Sequence, residues 1–251
     1  MNHTAIILAG GSGKRMGAGD AKQFLKLAGI PVLAHSIQTM EKAEEITDIV
    51  LVVRPGDEER IEREVLPCVY GENGRGKVRA IVHGGAERYD SVYAGLLAIR
   101  WPCGLVFIHD GARPFVTVQT IRALAQTAGK EQGACAGTPS KDTVKIADEN
   151  GYVRETPNRR DVWIIQTPQV FEKDVITAAY AEAMAQKEAL ARAGVQITDD
   201  CMVAERFSSL PIRLVDAGSE NIKVTEPSDL QIGEAILEGR RRRGEPAGRE
   251  T

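Results

Sequence analysis

The residues best suited to chemistry lie near the start of the chain. The apolar run Thr4 to Ala9 empties into Gly10-Gly11-Ser12-Gly13, followed by Lys14 and Arg15, with Lys22 a short way on. Glycine allows positive φ and close backbone approach, so several N–H groups can converge on phosphate oxygens. The spacing is not that of a P-loop, which ends in Gly-Lys-Ser/Thr, and Gly11 to Gly17 reads GxGxxxG rather than the dinucleotide fingerprint. Residues Ala18 to Ala21 also postpone any helix whose N-terminus could face a phosphate. Lys14, Arg15 and Lys22 beside one glycine loop suit a triphosphate better than the pyrophosphate of a dinucleotide; the alternative is a tight turn flanked by solvated cations.

Other chemistries find less support. The four histidines and four cysteines form no Ser/His/Asp or Cys/His arrangement, and Cys68, Cys103, Cys135 and Cys201 are too scattered for a metal or redox pair. They read as reduced thiols. Asp110 directly follows the apolar run Leu105 to Ile108, where an open α/β sheet places its ligand crevice; capping a helix or pairing with Arg113 is the alternative role. Asp199 and Asp200 read as caps for the segment Cys201 to Phe207, and His83 and His109 as turn or strand-end residues.

These residues need a scaffold, and the pattern supplies one. Short runs rich in Ile, Val and Leu alternate with longer amphipathic segments, as in βα units around a mostly parallel sheet, so the fold class is α/β. Strands are predicted over Thr4 to Ala9, Asp48 to Val53, Val78 to Val82, Gly104 to His109, Gly133 to Gly137, Val162 to Gln166 and Pro211 to Val215. Helices are predicted over Pro31 to Ala43, Glu87 to Ile99, Val118 to Gly129 and Glu172 to Ala193. The alternation breaks between Pro139 and Arg160, where two strand-like pieces flank Glu149-Asn150-Gly151, a hairpin signal. A polar hairpin of that size predicts an arm packed on a second subunit, or else a mobile surface hairpin.

With 251 residues, 43% of them hydrophobic, one domain over 1–239 is expected, with 139–161 as the arm. The arginine-rich stretch 240–251 reads as a frayed, solvated tail. A net charge of −3 gives no reason to expect nucleic acid or a membrane surface as partner. No apolar run approaches the ~20 residues of a membrane span or the form of a signal peptide, which predicts a cytoplasmic protein.

Taken with Lys22-Gln23-Phe24, the glycine loop resembles the signature of nucleotidyltransferases that join NTPs to sugar or polyol phosphates. Further along, His83 to Val92 resembles GG-x-x-R-x-DSV, His109 to Pro114 HDxARP, Gln166 to Gln169 QTPQ, Ile197 to Asp200 ITDD and Asn221 to Thr225 NIKVT. In that order, over nearly the whole chain, they resemble the 2-C-methyl-D-erythritol 4-phosphate cytidylyltransferase family. Ribitol-5-phosphate cytidylyltransferases share the LAGGxGxRMG opening and QTPQ. Leu8-Ala9-Gly10-Gly11 is closer to them than to the Pro-Ala-Ala-Gly frequent in the methylerythritol family. A non-catalytic nucleotide-binding subunit is the alternative outside enzymes.

The resemblance implies a Rossmann-like nucleotidyltransferase fold and attack of a substrate phosphate on the α-phosphorus of CTP. A phosphate monoester, with its second pKa about 6, is already largely dianionic at neutral pH, so no protein base is needed. By family position, Arg15 and Lys22 stabilise charge at the reacting phosphate. Ala9, Gly10, Gly11, Gly13, Gly84, Gly85, Ala86 and Ser91 bind CTP, although the family commonly has Asp where this chain has Ala86. Asp110, Arg113, Thr143, Arg159, Thr167 and Lys223 meet the acceptor, Arg159 and Lys223 also acting in catalysis, and Asp110 is the candidate ligand of Mg²⁺ or another divalent cation. The family also implies a homodimer whose arms, carrying Thr143 and Arg159, reach the neighbour's site.

Overall fold

A computed structural model describes residues 2–11, 21–72 and 74–244. In chain order the elements are β1 (Thr4–Ala9), a 3-10 turn at Lys22–Phe24, β2 (Lys26–Leu27), β3 (Ile30–Pro31), α1 (Val32–Lys42) and β4 (Asp48–Val53). Next come α2 (Glu58–Arg60), a π-helical turn at Ile61–Val65, α3 (Pro67–Tyr70), β5 (Val78–His83), α4 (Arg88–Ala98), β6 (Leu105–Asp110), α5 (Val118–Glu131) and β7 (Gly133–Pro139). A hairpin of β8 (Ile146–Ala147) and β9 (Val153–Glu155) comes next. After it follow β10 (Trp163–Glu172), α6 (Lys173–Ala185), α7 (Lys187–Arg192), α8 (Asp200–Phe207), β11 (Arg213–Asp216) and α9 (Pro227–Arg242).

The described residues form a seven-stranded sheet in the order β11-β7-β10-β6-β1-β4-β5. Only β10 runs against its neighbours, pairing antiparallel with both β6 and β7. Parallel strands covered on both faces must be largely apolar, which is why β4 is wholly buried and apolar from Ile49 to Val53. Alternation along each strand then divides the core. Ala5, Ile7, Leu51 and Val53 pack with Leu33 and Ile37 of α1 and Leu124 of α5. Ile6, Val50 and Val52 pack with Val92 and Leu96 of α4 and Tyr180 of α6. Each such aliphatic side chain, fully buried, contributes ~1.5–3 kcal/mol. A third cluster, Leu27, Val32, Phe115, Val224 and Leu237, seats α9.

Two details fix the cleft. The parallel strands β1, β5 and β6 end together at Gly10, Gly84 and Asp110, and α1 and α4 leave on opposite faces, so the crevice opens beyond the C-terminal ends of the strands. Gly95 lets α4 lie close against the sheet, since a Cβ there would come within 2.7 Å of Ile6 Cγ2 and 3.0 Å of Val52 Cγ2. That close seat sets the position of Arg88, the first residue of α4.

Several sequence expectations change. The helix expected over Glu172 to Ala193 is two helices that meet at Gln186. Glu172 itself ends β10, a strand of ten residues that runs through Gln166-Thr167-Pro168-Gln169 with a register shift against β7 between Ile165 and Gln169. Residues 240–242 are not frayed but form the last turn of α9. Arg240 pairs with Glu220 at 2.9 Å and donates to the Phe115 carbonyl, and Arg243 also pairs with Glu220. Residues 245–251 lie outside the described residues. The hairpin between 139 and 161 is present, its turn closed by Asp148, which accepts from Asn150 N and Tyr152 N, and by Gly151 at φ 86°.

Candidate active site

Two cavities open at the strand ends and share one wall. The first, about 590 Å³, is lined by Gly10, Gly11, Lys22, Gly85, Ala86 and Ser91 among others. The second, about 530 Å³, has Arg113, Gln166, Thr167 and Asp199 in its wall. Arg88, Asp110 and Lys223 line both. The cleft is therefore a single two-lobed site with a carboxylate and two cations at its waist.

Asp110 ends β6 with its side chain 11% exposed. Its Oδ1 accepts from Arg88 Nε at 3.3 Å and its Oδ2 meets Lys223 Nζ at 2.6 Å. Burial alone would raise the pKa of this carboxyl. The charges of Arg88, Lys223 and Arg113 outweigh burial and hold it well below the usual carboxylate range. Arg88 in turn forks onto Asp200, donating from Nη1 and Nη2 at 2.8 and 2.7 Å. Burial opposes its charge, but Asp200 and Asp110 raise its pKa well above the ordinary arginine value. Asp200 is fully buried and also accepts from the Tyr180 hydroxyl at 2.5 Å.

His109 fixes the floor of the second lobe. Its Nε2 lies 3.2 Å from the Arg113 carbonyl and its Nδ1 3.1 Å from Thr167 Oγ1, which also accepts from Asp110 N at 3.0 Å. A carbonyl accepts only, so Nε2 carries the proton and Nδ1 accepts the Thr167 hydroxyl proton. Burial pushes the imidazole pKa down to about 4, which keeps this neutral tautomer at neutral pH. Arg113 donates from Nη1 to the Asn221 carbonyl at 2.8 Å, its pKa lowered by burial, while Asn221 Nδ2 donates to Gln166 Oε1 and the Thr167 carbonyl. The loop bearing Lys223 is thus tied to β10 beside it. It is also fastened to α9, where Asp229 accepts from Thr225 N and Glu226 N and Arg240 holds Glu220.

In the first lobe, Gly85 N donates to Ser91 Oγ at 3.2 Å, and Ser91 Oγ donates to the Glu87 carbonyl. A Cβ on Gly84 would lie 2.6 Å from Ser91 Oγ and one on Gly85 2.4 Å from Asp90 Cβ, so the Gly84-Gly85 turn has no room for side chains. Asp90 is held there by Lys187 Nζ at 2.7 Å.

Gly10, Gly11, Lys22, Gly85, Ala86 and Ser91 come together in the first lobe, Arg113 and Thr167 in the second, and Asp110 and Lys223 between them. Ala9 is buried in the core behind this lining, and Gly84 stands behind it, bonded to the Val53 carbonyl. Gly13, Lys14 and Arg15 lie outside the described residues. Thr143 and Arg159 line neither lobe; both are exposed in the hairpin segment, where Arg159 donates to the Lys141 carbonyl. Asp199 caps α8 as expected, accepting from Met202 N, but Asp200 serves as the ion-pair partner of Arg88. Sequence reasoning gave Arg88 no role of its own, although it is the arginine of GG-x-x-R-x-DSV. Its placement in that motif was the available signal.

A glycine turn and a cationic cleft at the switch point of a mostly parallel sheet define an α/β nucleotide-binding protein. The chain matches the profile of 2-C-methyl-D-erythritol 4-phosphate cytidylyltransferase over residues 3–239. It is 41% identical over 244 residues to the protein of that name from Pelotomaculum thermopropionicum, covering 97% of this chain and 98% of the relative. To the one from Alkaliphilus oremlandii it is 42% identical over 239 residues, covering 95% and 96%. The fold superposes on the crystal structure of 4-diphosphocytidyl-2C-methyl-D-erythritol synthase from Anaerococcus prevotii with a TM-score of 0.81, at 34% identity and covering 94% and 96% of the two chains. The chain belongs to the 2-C-methyl-D-erythritol 4-phosphate cytidylyltransferase family.

Proposed function

We propose that this protein transfers CMP from CTP to 2-C-methyl-D-erythritol 4-phosphate, giving CDP-methylerythritol and pyrophosphate in non-mevalonate isoprenoid biosynthesis, with CTP in the glycine-lined lobe and the acceptor in the other. The observation that carries the assignment of lobes is the waist, where Asp110 and Lys223 face both cavities. An acceptor phosphate oxygen attacks the α-phosphorus as the α–β bridging P–O bond breaks and pyrophosphate leaves. The acceptor brings its own charge, so the chain supplies alignment and cations rather than a base. In this reading Lys22, with Arg15, stabilises the charge that grows on the α-phosphate, and Lys223 and Arg113 orient the acceptor phosphate.

Mg²⁺ suits the donor set only as a cation carried largely by the phosphates. Among the described residues no three His, Cys, Asp or Glu gather as ligands, so Asp110 would lend one oxygen to an ion otherwise bound by triphosphate and water. When bound, the ion would neutralise phosphate charge. The arm completes the neighbour's site in a homodimer. Thr143 and Arg159 line neither lobe of their own chain, while Tyr152 and Val153 on the arm are 74% and 61% exposed, apolar surface suited to a second subunit. The four unpaired cysteines and the supply of CTP fit a cytoplasmic site of action. No helix among the described residues is long and apolar enough to cross a membrane.

Pyrophosphate release from CTP and a divalent cation, with methylerythritol phosphate or ribitol 5-phosphate as acceptor, tests this reading. Turnover with the former supports it. Preference for ribitol phosphate, or no turnover with either, overturns it.

A further inference from the structure

We propose that Arg88 is a positioning residue: it holds Asp110, and through Asp110 the Lys223 ammonium, and does not itself bind a phosphate. This rests on the acceptor reading of the second lobe. An arginine lining both halves of a phosphate cleft invites assignment as a phosphate ligand, but three of its five N–H donors, one from each nitrogen, already go to carboxylates. Nη1 and Nη2 form a bidentate fork on Asp200, which fixes the plane of the guanidinium, and Nε then points at Asp110 Oδ1. The charge of Arg88 is matched by these two carboxylates.

The fork has a rigid anchor. Asp200 has no exposed surface, and three elements hold it: its backbone N–H and that of Cys201 donate to Gln169 Oε1 on β10, its Oδ1 accepts from Tyr180 on α6, and it opens α8. Gln169 is held in turn by donating to Asp199 Oδ2 at 2.9 Å. From this buried anchor one line of contacts runs Tyr180, Asp200, Arg88, Asp110, Lys223 into the cleft. Arg88 grips one oxygen of Asp110, which leaves the other to meet Lys223 at 2.6 Å. Lys223, 35% exposed on a loop, has no comparable fixture of its own side chain among the contacts seen, so its placement depends on where Asp110 points.

The test separates placement from phosphate binding and from folding. Four proteins are compared in the cytidylyltransfer assay: wild type, Arg88→Lys, the double variant Arg88→Met/Asp200→Asn and Tyr180→Phe. KM is measured for each substrate separately, with thermal unfolding alongside. Arg88→Lys keeps a charge but cannot fork, and it is expected to raise acceptor KM about tenfold or more with CTP KM within about twofold. The double variant removes both buried charges together, so it is expected to fold and to show the same acceptor defect. Tyr180→Phe, which touches nothing in the cleft, is expected to show a smaller defect of the same kind, about threefold. A rise in CTP KM with acceptor KM unmoved would make Arg88 a triphosphate ligand and overturn the proposal. So would wild-type acceptor KM in the folded double variant. Absence of turnover by the wild type would instead sink the functional reading, and this inference with it.

Discussion

Replacing Gly85 with alanine gives the sharpest steric test of the nucleotide lobe. The added Cβ would lie 2.4 Å from Asp90 Cβ and 3.2 Å from its Cγ, the former about 1 Å short of ordinary contact. Asp90 cannot yield, because its Cβ is fixed to the first turn of α4 and its carboxylate is held by Lys187 at 2.7 and 2.9 Å and by Glu87 N at 3.1 Å. The turn must therefore move outward by about 1 Å, carrying Ala86 with it into the lobe. Overpacking of this kind costs ~1–3 kcal/mol, and a displacement of that size at a reacting centre can cost ~10²-fold in rate. Steady-state kinetics are expected to show kcat/KM for CTP down by about 100-fold, acceptor KM within about twofold and Tm lower by only a few degrees. Wild-type kcat/KM for CTP in a folded Gly85→Ala protein would refute the placement of the nucleotide against this turn.

Gly129 in α5 is the matched control, with no atom beyond its own helical turn within 4 Å of the point where a Cβ would stand; Gly129→Ala should stabilise by about 0.5–1 kcal/mol in denaturant unfolding and leave kinetics unchanged. Lys22→Ala should lower kcat far more than it raises either KM, because its contact is proposed to strengthen in the transition state; an unchanged kcat would remove Lys22 from the mechanism. His109 gives a pH prediction. Its folded pKa of about 4 lies below the ordinary 6.5, so the unfolded chain binds the proton first and stability falls as pH drops from 6.5 towards 4, by ~3 kcal/mol in all. Denaturant unfolding across that window should show a shallower loss in His109→Gln, and an identical loss would count against the buried neutral imidazole. Mixing Arg159→Ala with Arg15→Ala subunits should restore some activity through one intact shared site, and no recovery despite subunit exchange would contradict the shared-site homodimer.

The parallel half of the sheet was legible because β1, β4 and β6 each hold an apolar run of four or five residues, Ala5 to Ala9, Ile49 to Val53 and Leu105 to Ile108, as a strand buried on both faces needs. The hairpin of β8 and β9 was legible from Asn150-Gly151 between polar strand-like pieces. What was not legible depended on distant partners. Arg240 and Arg243 looked like solvated charge until Glu220 and the Phe115 carbonyl were brought beside them, and with them α9 went unread despite Glu226-Pro227 and Asp229 at its start. The strand expected over Val162 to Gln166 stopped short of Pro168, whereas β10 carries on past it by leaving the proline in the register shift between Ile165 and Gln169 and pairing antiparallel with β6 and β7 beyond. In the site, Asp110 was found from its place after an apolar strand. The role of Asp200 was not, since a cap and a buried ion-pair partner look alike before Arg88, 112 residues away, is placed against it.

In the proposed reaction the two lobes bring a phosphate monoester to the α-phosphorus of CTP. CTP labelled at that phosphorus, incubated with the protein, Mg²⁺ and methylerythritol phosphate, should yield labelled CDP-methylerythritol and unlabelled pyrophosphate in equal amounts. Label left in CTP, or appearing as free CMP without the CDP-alcohol, would contradict it.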